Sequence, residues 1–127
     1  MTETELKQRT KQFALRVLKL VSALPKTLEG RAIGSQLVRS GTSVGANYRA
    51  ACRGRSKAEF ISKLGTVEEE ADESAYWLEL IADGGLLPKP QVDPLRQEAA
   101  ELTAIMAASR ITAARGDTAN RVSAPRD

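Results

Sequence analysis

The 127-residue chain is predicted to be all-α, an antiparallel up-down-up-down four-helix bundle. Three observations indicate this fold. Four segments of about 20 residues carry apolar residues at helical spacing, short connections containing Gly or Pro separate them, and no segment alternates like a β-strand. Amphipathic helices joined by short connections pack as antiparallel neighbours around one core. We therefore expect one bundle domain over residues 1–115.

The first two helices are predicted over residues 2–24 and 30–53. In the first helix, five apolar residues recur at steps of three, four or seven and share one face. These residues are Leu6, Phe13, Val17, Leu20 and Leu24. Pro25 ends this helix, because the residue before a proline is pushed out of helical geometry. Gly54 favours termination of the second helix.

The last two helices are predicted over residues 57–83 and 93–114. Ser56 and Glu59 have the spacing of a capping box and indicate that the third helix begins after Ser56. Pro94 suits the first turn of the fourth helix, where its missing N–H is not needed. Residues 116–127 lack apolar periodicity, and we expect them to form a flexible C-terminal tail.

The second helix contains many residues that are poor helix formers. Glycine inside a helix costs roughly 1 kcal/mol relative to alanine. On a helical projection these residues fall into two rows. Ser40, Ser43 and Asn47 form a polar row on one side of the apolar face, and Gly41 and Gly45 lie on its other side. We interpret both rows as contact surfaces for another helix, another subunit or a ligand. The alternative is a narrow core face beside an ordinary solvated face.

Glu70 and Trp77 flank the apolar face of the third helix. Glu70 is the acid closest to the interior and is a candidate ion-pair partner for Arg39, although a surface carboxylate is the alternative. Trp77 is expected in a core or subunit contact. A base-stacking role is disfavoured, because aromatic residues are only 4% of the chain and single-strand binders use several rings.

Charge is distributed unevenly along the chain, whose net charge is +3. Residues 31–63 contain seven basic residues and one acid, whereas residues 64–88 contain seven acids and no base. Such asymmetry can attract a polyanion or pair one element with another. The candidate nucleic-acid contacts are basic residues of the second helix, its C-terminal connection and the first helix. They are Arg39, Arg49, Arg53, Arg55, Lys57, Arg9 and Arg16.

The chain has no histidine and a single cysteine, Cys52. This composition excludes Ser-His-Asp and Cys-His catalysis and Cys/His zinc sites. Glu69, Glu70 and Glu73 are the candidate metal ligands, but no second acidic helix is predicted to face them. We therefore predict no catalytic residue, no metal and no cofactor, and we expect that the protein is not an enzyme.

The sequence also predicts where the protein resides. No apolar run reaches the ~18 residues that a membrane span needs, and the polar N-terminal segment does not resemble a secretory signal. We therefore expect a cytoplasmic protein without a membrane partner.

Residues 35–81 resemble a four-helix-bundle family first noticed as reading frames in intervening sequences of 23S ribosomal RNA genes, the S23 type. The residues that carry the resemblance are Arg39-Ser40, Ser43, Gly45-Ala46-Asn47, Arg55-Ser56-Lys57, Phe60, Lys63-Leu64, Glu69 to Glu73 and Tyr76-Trp77-Leu78. The resemblance implies a ring-like homopentamer and no catalytic residues. It also implies kinship with the accessory variability determinant of diversity-generating retroelements, a basic pentamer that binds nucleic acid and a reverse transcriptase. Ala50 departs from the family pattern, where glutamate is common, and makes the neighbouring arginine cluster more basic.

Two function hypotheses follow. The first is a non-enzymatic oligomer that binds the backbone of RNA or DNA through the basic surface of the second helix. The second is a structural or protein-interaction scaffold, in which the basic second helix of one subunit meets the acidic third helix of another. Either hypothesis leaves room for an unidentified protein partner.

Overall fold

The computed structural model of the protein describes residues 1–116, and four α-helices make up most of them. The helices are α1 (Glu3–Ser22), α2 (Leu28–Cys52), α3 (Lys57–Asp83) and α4 (Lys89–Ala114). Residues 1–116 contain no β-strand, and none of their helices combines the length and apolarity needed to cross a membrane. The predicted all-α class is confirmed. Apart from Gly116, the predicted tail lies outside the described residues.

Cross-helix contacts show that neighbouring helices run antiparallel. Between α3 and α4, Glu68 pairs with Arg110 and Glu79 approaches Arg96, so residue numbers fall along α4 as they rise along α3. The contacts of α2 with α1 show the same reversal, since Gly34 lies near Val21 and Gly45 near Thr10. Toward α3, Ser40 contacts Ser74 whereas Gly54, just after α2, lies near Phe60. Each helix packs against its neighbours in the chain, and α1 closes the bundle against α4 over a smaller interface.

A single hydrophobic core fills the centre of the bundle. Its largest fully buried side chains include Tyr48, Phe13 and Phe60. All five apolar residues that define the predicted face of the first helix are also buried. Burying a Val, Leu or Phe side chain stabilises a fold by about 1.5–3 kcal/mol, which exceeds the differences in helix propensity between ordinary residues. The apolar face of each helix therefore determines how the bundle assembles.

Hydroxyl side chains cap three of the four helices. Thr2 Oγ1 accepts the Glu5 N–H, and the Glu5 carboxylate accepts the Thr2 N–H, which completes a capping box on α1. Thr27 caps α2. Ser56 Oγ accepts the Glu59 N–H at 3.1 Å, which is the half of the predicted capping box that the described residues form. Such caps typically stabilise by about 1 kcal/mol each.

The fourth helix begins at Lys89, four residues before the predicted start at 93. The prediction placed Pro94 in the first turn, whereas Pro94 lies inside the helix. Pro88 is the N-cap residue and Pro90 occupies the first turn, where a proline has no intrahelical N–H bond to lose. Three closely spaced prolines made the sequence ambiguous, because each could mark the start. The other helix boundaries lie within two residues of the prediction.

Glycines of α2 allow α1 to approach closely. A Cβ atom on Gly41 would lie 2.8 Å from Val17 Cγ2, and one on Gly45 would lie 3.2 Å from Thr10 Oγ1. Gly34 faces the C-terminal part of α1 in the same way, about two turns further from the α2 C-terminus than Gly41. The glycine row that the sequence identified is therefore a contact surface for a helix of the same chain.

We predict opposite effects for two glycine-to-alanine substitutions. Gly41→Ala inserts a methyl group against the buried Val17 side chain and should lower the free energy of unfolding by about 1–3 kcal/mol. Gly65→Ala is the matched control, because its Cβ would meet nothing closer than Arg110 Cδ at 3.7 Å. It should raise that free energy by about 0.5–1 kcal/mol. Urea unfolding measures both, and equal stabilisation by the two changes would contradict the close contact.

Candidate nucleic-acid interface

The two helical hairpins of the bundle carry opposite net charge. Residues 1–55 contain eleven basic and three acidic residues, a net charge of +8, whereas residues 56–116 contain six basic and eleven acidic residues, a net charge of −5. Because α2 packs on α3 and α1 packs on α4, the outer faces of the two hairpins lie on opposite sides of the bundle. The protein therefore presents one basic side and one acidic side, and the basic side attracts polyanions.

Arg9 is one of the predicted contact residues, and its charge is neutralised within the bundle. Its Nε donates to Glu98 Oε2 at 2.7 Å, and its Nη2 donates to Glu101 Oε1 at 2.7 Å. These partners raise the pKa of Arg9, with the hydrogen bond to Glu98 contributing most. With a third bond, from Nη2 to Glu98 Oε1 at 2.8 Å, these bonds join α1 to α4, whose interface is small. Arg9 therefore has a structural role in holding α1 against α4, and it contributes little positive potential to the surface.

Arg39 has a comparable role between α2 and α3. Its Nη1 donates to Glu70 Oε1 at 3.2 Å, its Nη2 donates to Glu73, and Trp77 Nε1 donates to Glu73 Oε2 at 3.0 Å. The pairing expected for Arg39 and Glu70 is present, and Trp77 takes part in the same cluster. The bonds from Trp77 and Arg39 hold the pKa of Glu73 below its ordinary value.

The polar row of α2 does not form one surface. Ser40 is fully buried, and its Oγ lies 2.9 Å from Ser74 Oγ of α3, so this pair joins the two helices. Ser43 Oγ donates to the Arg39 carbonyl at 2.7 Å, and Asn47 Nδ2 donates to the Ser43 carbonyl at 2.9 Å. The Ser43 and Asn47 side chains thus bond their own helix and remain partly exposed.

The other five predicted contact residues are exposed and have no ion-pair partner within residues 1–116. Arg49, Arg53, Arg55 and Lys57 follow one another from the last turn of α2 through the connection into α3. Arg16 lies apart from them, because it lines a cleft between α1 and α4 together with Lys19. The structure therefore gathers four of the seven predicted residues into one basic cluster at the α2–α3 end.

Sequence reasoning missed two basic residues of α1. Lys7 and Lys11 line a cleft between α1 and α2 together with Arg49. Their separation of four residues places both on one side of the helix, but the sequence does not show that this side meets α2. The signal was present only as a basic stripe, Lys7 and Lys11, beside the apolar face of α1.

Acidic residues of α3 do not form a metal centre in the described part of the chain. Residues 1–116 contain no group of three His, Cys, Asp or Glu side chains arranged to hold a metal ion. Glu70 and Glu73 instead contact Arg39. Cys52 is partly buried, and burial raises the pKa of its thiol.

The Glu73 carboxylate gives the stability of the bundle a pH dependence of defined sign. Because its pKa is lowered on folding, the stabilisation is complete above its unfolded-state pKa and is lost as the pH falls through the folded-state value. We expect Glu73→Gln to be less stable than the wild type near about pH 7, and the difference to close below about pH 4. Urea unfolding at both pH values tests this. Glu69→Gln, at an exposed position without an ion pair in residues 1–116, should leave stability unchanged. A pH-independent deficit in Glu73→Gln would contradict the account.

Comparison with known proteins agrees with the resemblance seen in the sequence. A family model described as 23S rRNA-intervening sequence protein matches residues 2–108. A crystal structure from Bacteroides thetaiotaomicron, of a protein with unknown function from the S23 ribosomal protein family, is 31% identical with a TM-score of 0.81. The similarity covers 88% of this chain and 100% of that chain. No curated protein matches the chain. The chain therefore belongs to the 23S rRNA-intervening sequence protein family.

Proposed function

We propose that the protein is a non-enzymatic oligomer that binds the backbone of RNA or DNA through its basic side. The observation that supports this proposal is the contrast between paired and unpaired cations. Arg9 and Arg39 are bound to carboxylates, whereas the α2–α3 basic cluster (Arg49, Arg53, Arg55 and Lys57) is exposed and without a partner in residues 1–116. Binding to a phosphate backbone is driven by cations that displace condensed counterions, and such cations must be available.

The surface chemistry favours phosphate contacts over base recognition. Tyr76 is the one exposed aromatic side chain of residues 1–116, and it lies on α3, away from the α2–α3 basic cluster. Proteins that hold single strands by stacking use several aromatic rings beside a basic groove. Contacts of Arg and Lys with phosphates position a nucleic acid but carry no sequence information directly. We therefore expect binding with little sequence preference.

Oligomerisation would strengthen a surface that is weak in one copy. A single chain has a net charge of +3, and a homopentamer, the assembly that the family resemblance implies, would have a net charge of +15. Several linked sites on one nucleic acid bind far more tightly than each site alone. The pentamer is accordingly part of the proposed function.

A scaffold without a nucleic-acid role is the second candidate, and the opposite charges of the two hairpins favour it. The basic α1–α2 side of one copy can pack on the acidic α3–α4 side of the next in a head-to-tail contact, which closes into a ring if the rotation allows. The charge asymmetry would then serve assembly. Light scattering coupled to size exclusion distinguishes the candidates, because a scaffold of this kind dissociates at high salt and does not bind RNA.

We predict that Arg53→Ala weakens RNA binding and that its matched control does not. Fluorescence anisotropy with a labelled single-stranded RNA should show tight binding at low salt and a steep loss as salt rises. Arg53→Ala removes one exposed, unpaired cation and should reduce the slope of log affinity against log salt by about 0.7. Lys89→Ala removes the same charge from an exposed position on α4 and should leave the slope unchanged.

Two results would overturn the proposal. One is the absence of RNA binding by the wild-type protein at low salt. The other is an equal change of slope in Arg53→Ala and Lys89→Ala, since that result would show a response to net charge without a defined basic side.

A further inference from the structure

We infer that the cleft between α1 and α2 binds a phosphate group, held by Lys7, Lys11 and Arg49. The inference deepens the proposed function and rests on it for one source of the ligand, the phosphates of a nucleic-acid backbone. A free phosphate compound is the other source. The recognising chemistry is the same, because both present a compact anion with several acceptor oxygens.

The lining of the cleft carries three positive charges and no negative charge. The cleft has a volume of about 440 Å³ and is lined by residues of both helices. Its neutral polar lining residues include Thr4, Gln8 and Thr42. Lys11 and Arg49 are exposed and have no ion-pair partner within residues 1–116. Like charges on the two sides of a cleft repel one another. An anion bound between them attracts each of them and offsets this repulsion.

The close contact of the two helices explains why these cations converge. Gly45 and Ala46 line the α2 side, and a Cβ atom on Gly45 would lie 3.2 Å from Thr10 Oγ1. The short side chains leave space beside the helix contact, and Lys7 and Arg49 line this space from α1 and α2 respectively. Small residues of this kind permit close approach of a ligand to the backbone.

Glu3 is the one acid that pairs with a lining cation in the described residues. The Lys7 Nζ atom lies 2.9 Å from Glu3 Oε2, and both side chains are more than one-third exposed. Exposed ion pairs of this spacing on a helix contribute little and are screened by salt. A phosphate therefore competes with Glu3 for Lys7 at small cost.

Three other clefts in residues 1–116 contain cations, but none concentrates them in this way. The cleft between α3 and α4 contains Arg96 beside the acids Asp72 and Glu79. The cleft between the C-terminal part of α1 and the N-terminal part of α2 contains Lys26 and Arg31 beside apolar residues. The cleft between α1 and α4 contains Arg16 and Lys19. Only the cleft with Lys7, Lys11 and Arg49 has three lining cations among those described here.

A pair of charge-matched variants tests the site. Ala46→Glu places a carboxylate in the cleft, where it pairs with the cations and occupies the site of an anion. Ala104→Glu makes the same charge change at an exposed position of α4. Calorimetric titration with inorganic pyrophosphate and anisotropy with RNA are measured on the wild type and both variants. We expect Ala46→Glu to weaken pyrophosphate binding about tenfold or more and Ala104→Glu to change it less than about twofold.

Substitution of the cations provides a second measurement that does not depend on the folding of Ala46→Glu. Lys11→Gln should weaken pyrophosphate binding by about tenfold, whereas Lys19→Gln, on the same helix but in the other cleft, should not. Circular dichroism verifies that each variant is folded. Equal effects of Lys11→Gln and Lys19→Gln would overturn the site.

The combined results separate this inference from the proposed function. If Ala46→Glu selectively weakens the binding of both pyrophosphate and RNA, the cleft holds a backbone phosphate. If Ala46→Glu selectively weakens pyrophosphate binding and the wild type does not bind RNA, the cleft is a site for a free phosphate compound. The proposed nucleic-acid function is then wrong. If pyrophosphate does not bind and RNA binding is equal in the two variants, the cleft inference is wrong and the nucleic-acid function stands.

Discussion

The contact between α1 and α2 is the constraint on which the charge distribution of the bundle depends. Gly41 and Gly45 have no side chain, so the two most basic helices of the chain lie side by side. Bringing like charges together destabilises a fold unless counter-charges are near. Arg9 and Arg39 connect the basic hairpin to these counter-charges, because each pairs with two carboxylates of the acidic hairpin. Lys7 pairs with Glu3 of its own helix, and the other cations of the basic side have no ion-pair partner in residues 1–116. They are left for a ligand or another subunit.

The distinction between paired and unpaired cations determines the functional conclusion. Family membership establishes the fold, but the solved relative from Bacteroides thetaiotaomicron is itself a protein of unknown function, so the role must be argued from this chain. Arginines bound to carboxylates on two helices act as structural ties. Exposed cations at the end of α2 and in the α1–α2 cleft have no such task within residues 1–116. Their position on one side of the bundle is the feature that a polyanion would recognise.

The sequence predicted the fold well, because the burial of apolar helix faces dominates the free energy of folding. The helical spacing of the apolar residues that form these faces is visible in the sequence. It predicted the site less well. The sequence suggested Arg39 both as a nucleic-acid contact and as the ion-pair partner of Glu70. The register of α2 and α3 places Arg39 beside Glu70 and adds Glu73, a second partner that the sequence did not indicate. Lys7 and Lys11 were missed because their role depends on which side of α1 meets α2. Both cases depend on relations between helices that spacing within one helix cannot supply.

The most direct test of this account is a map of lysine reactivity with and without bound RNA. Each lysine is acetylated in proportion to its accessibility, and mass spectrometry quantifies the modification at every position. The account predicts that RNA protects Lys11 and Lys57 and leaves Lys89 on the opposite hairpin as reactive as before. Protection of Lys89 with unchanged reactivity at Lys11 and Lys57 would contradict the claim that the unpaired cations beside the α1–α2 contact form the binding surface.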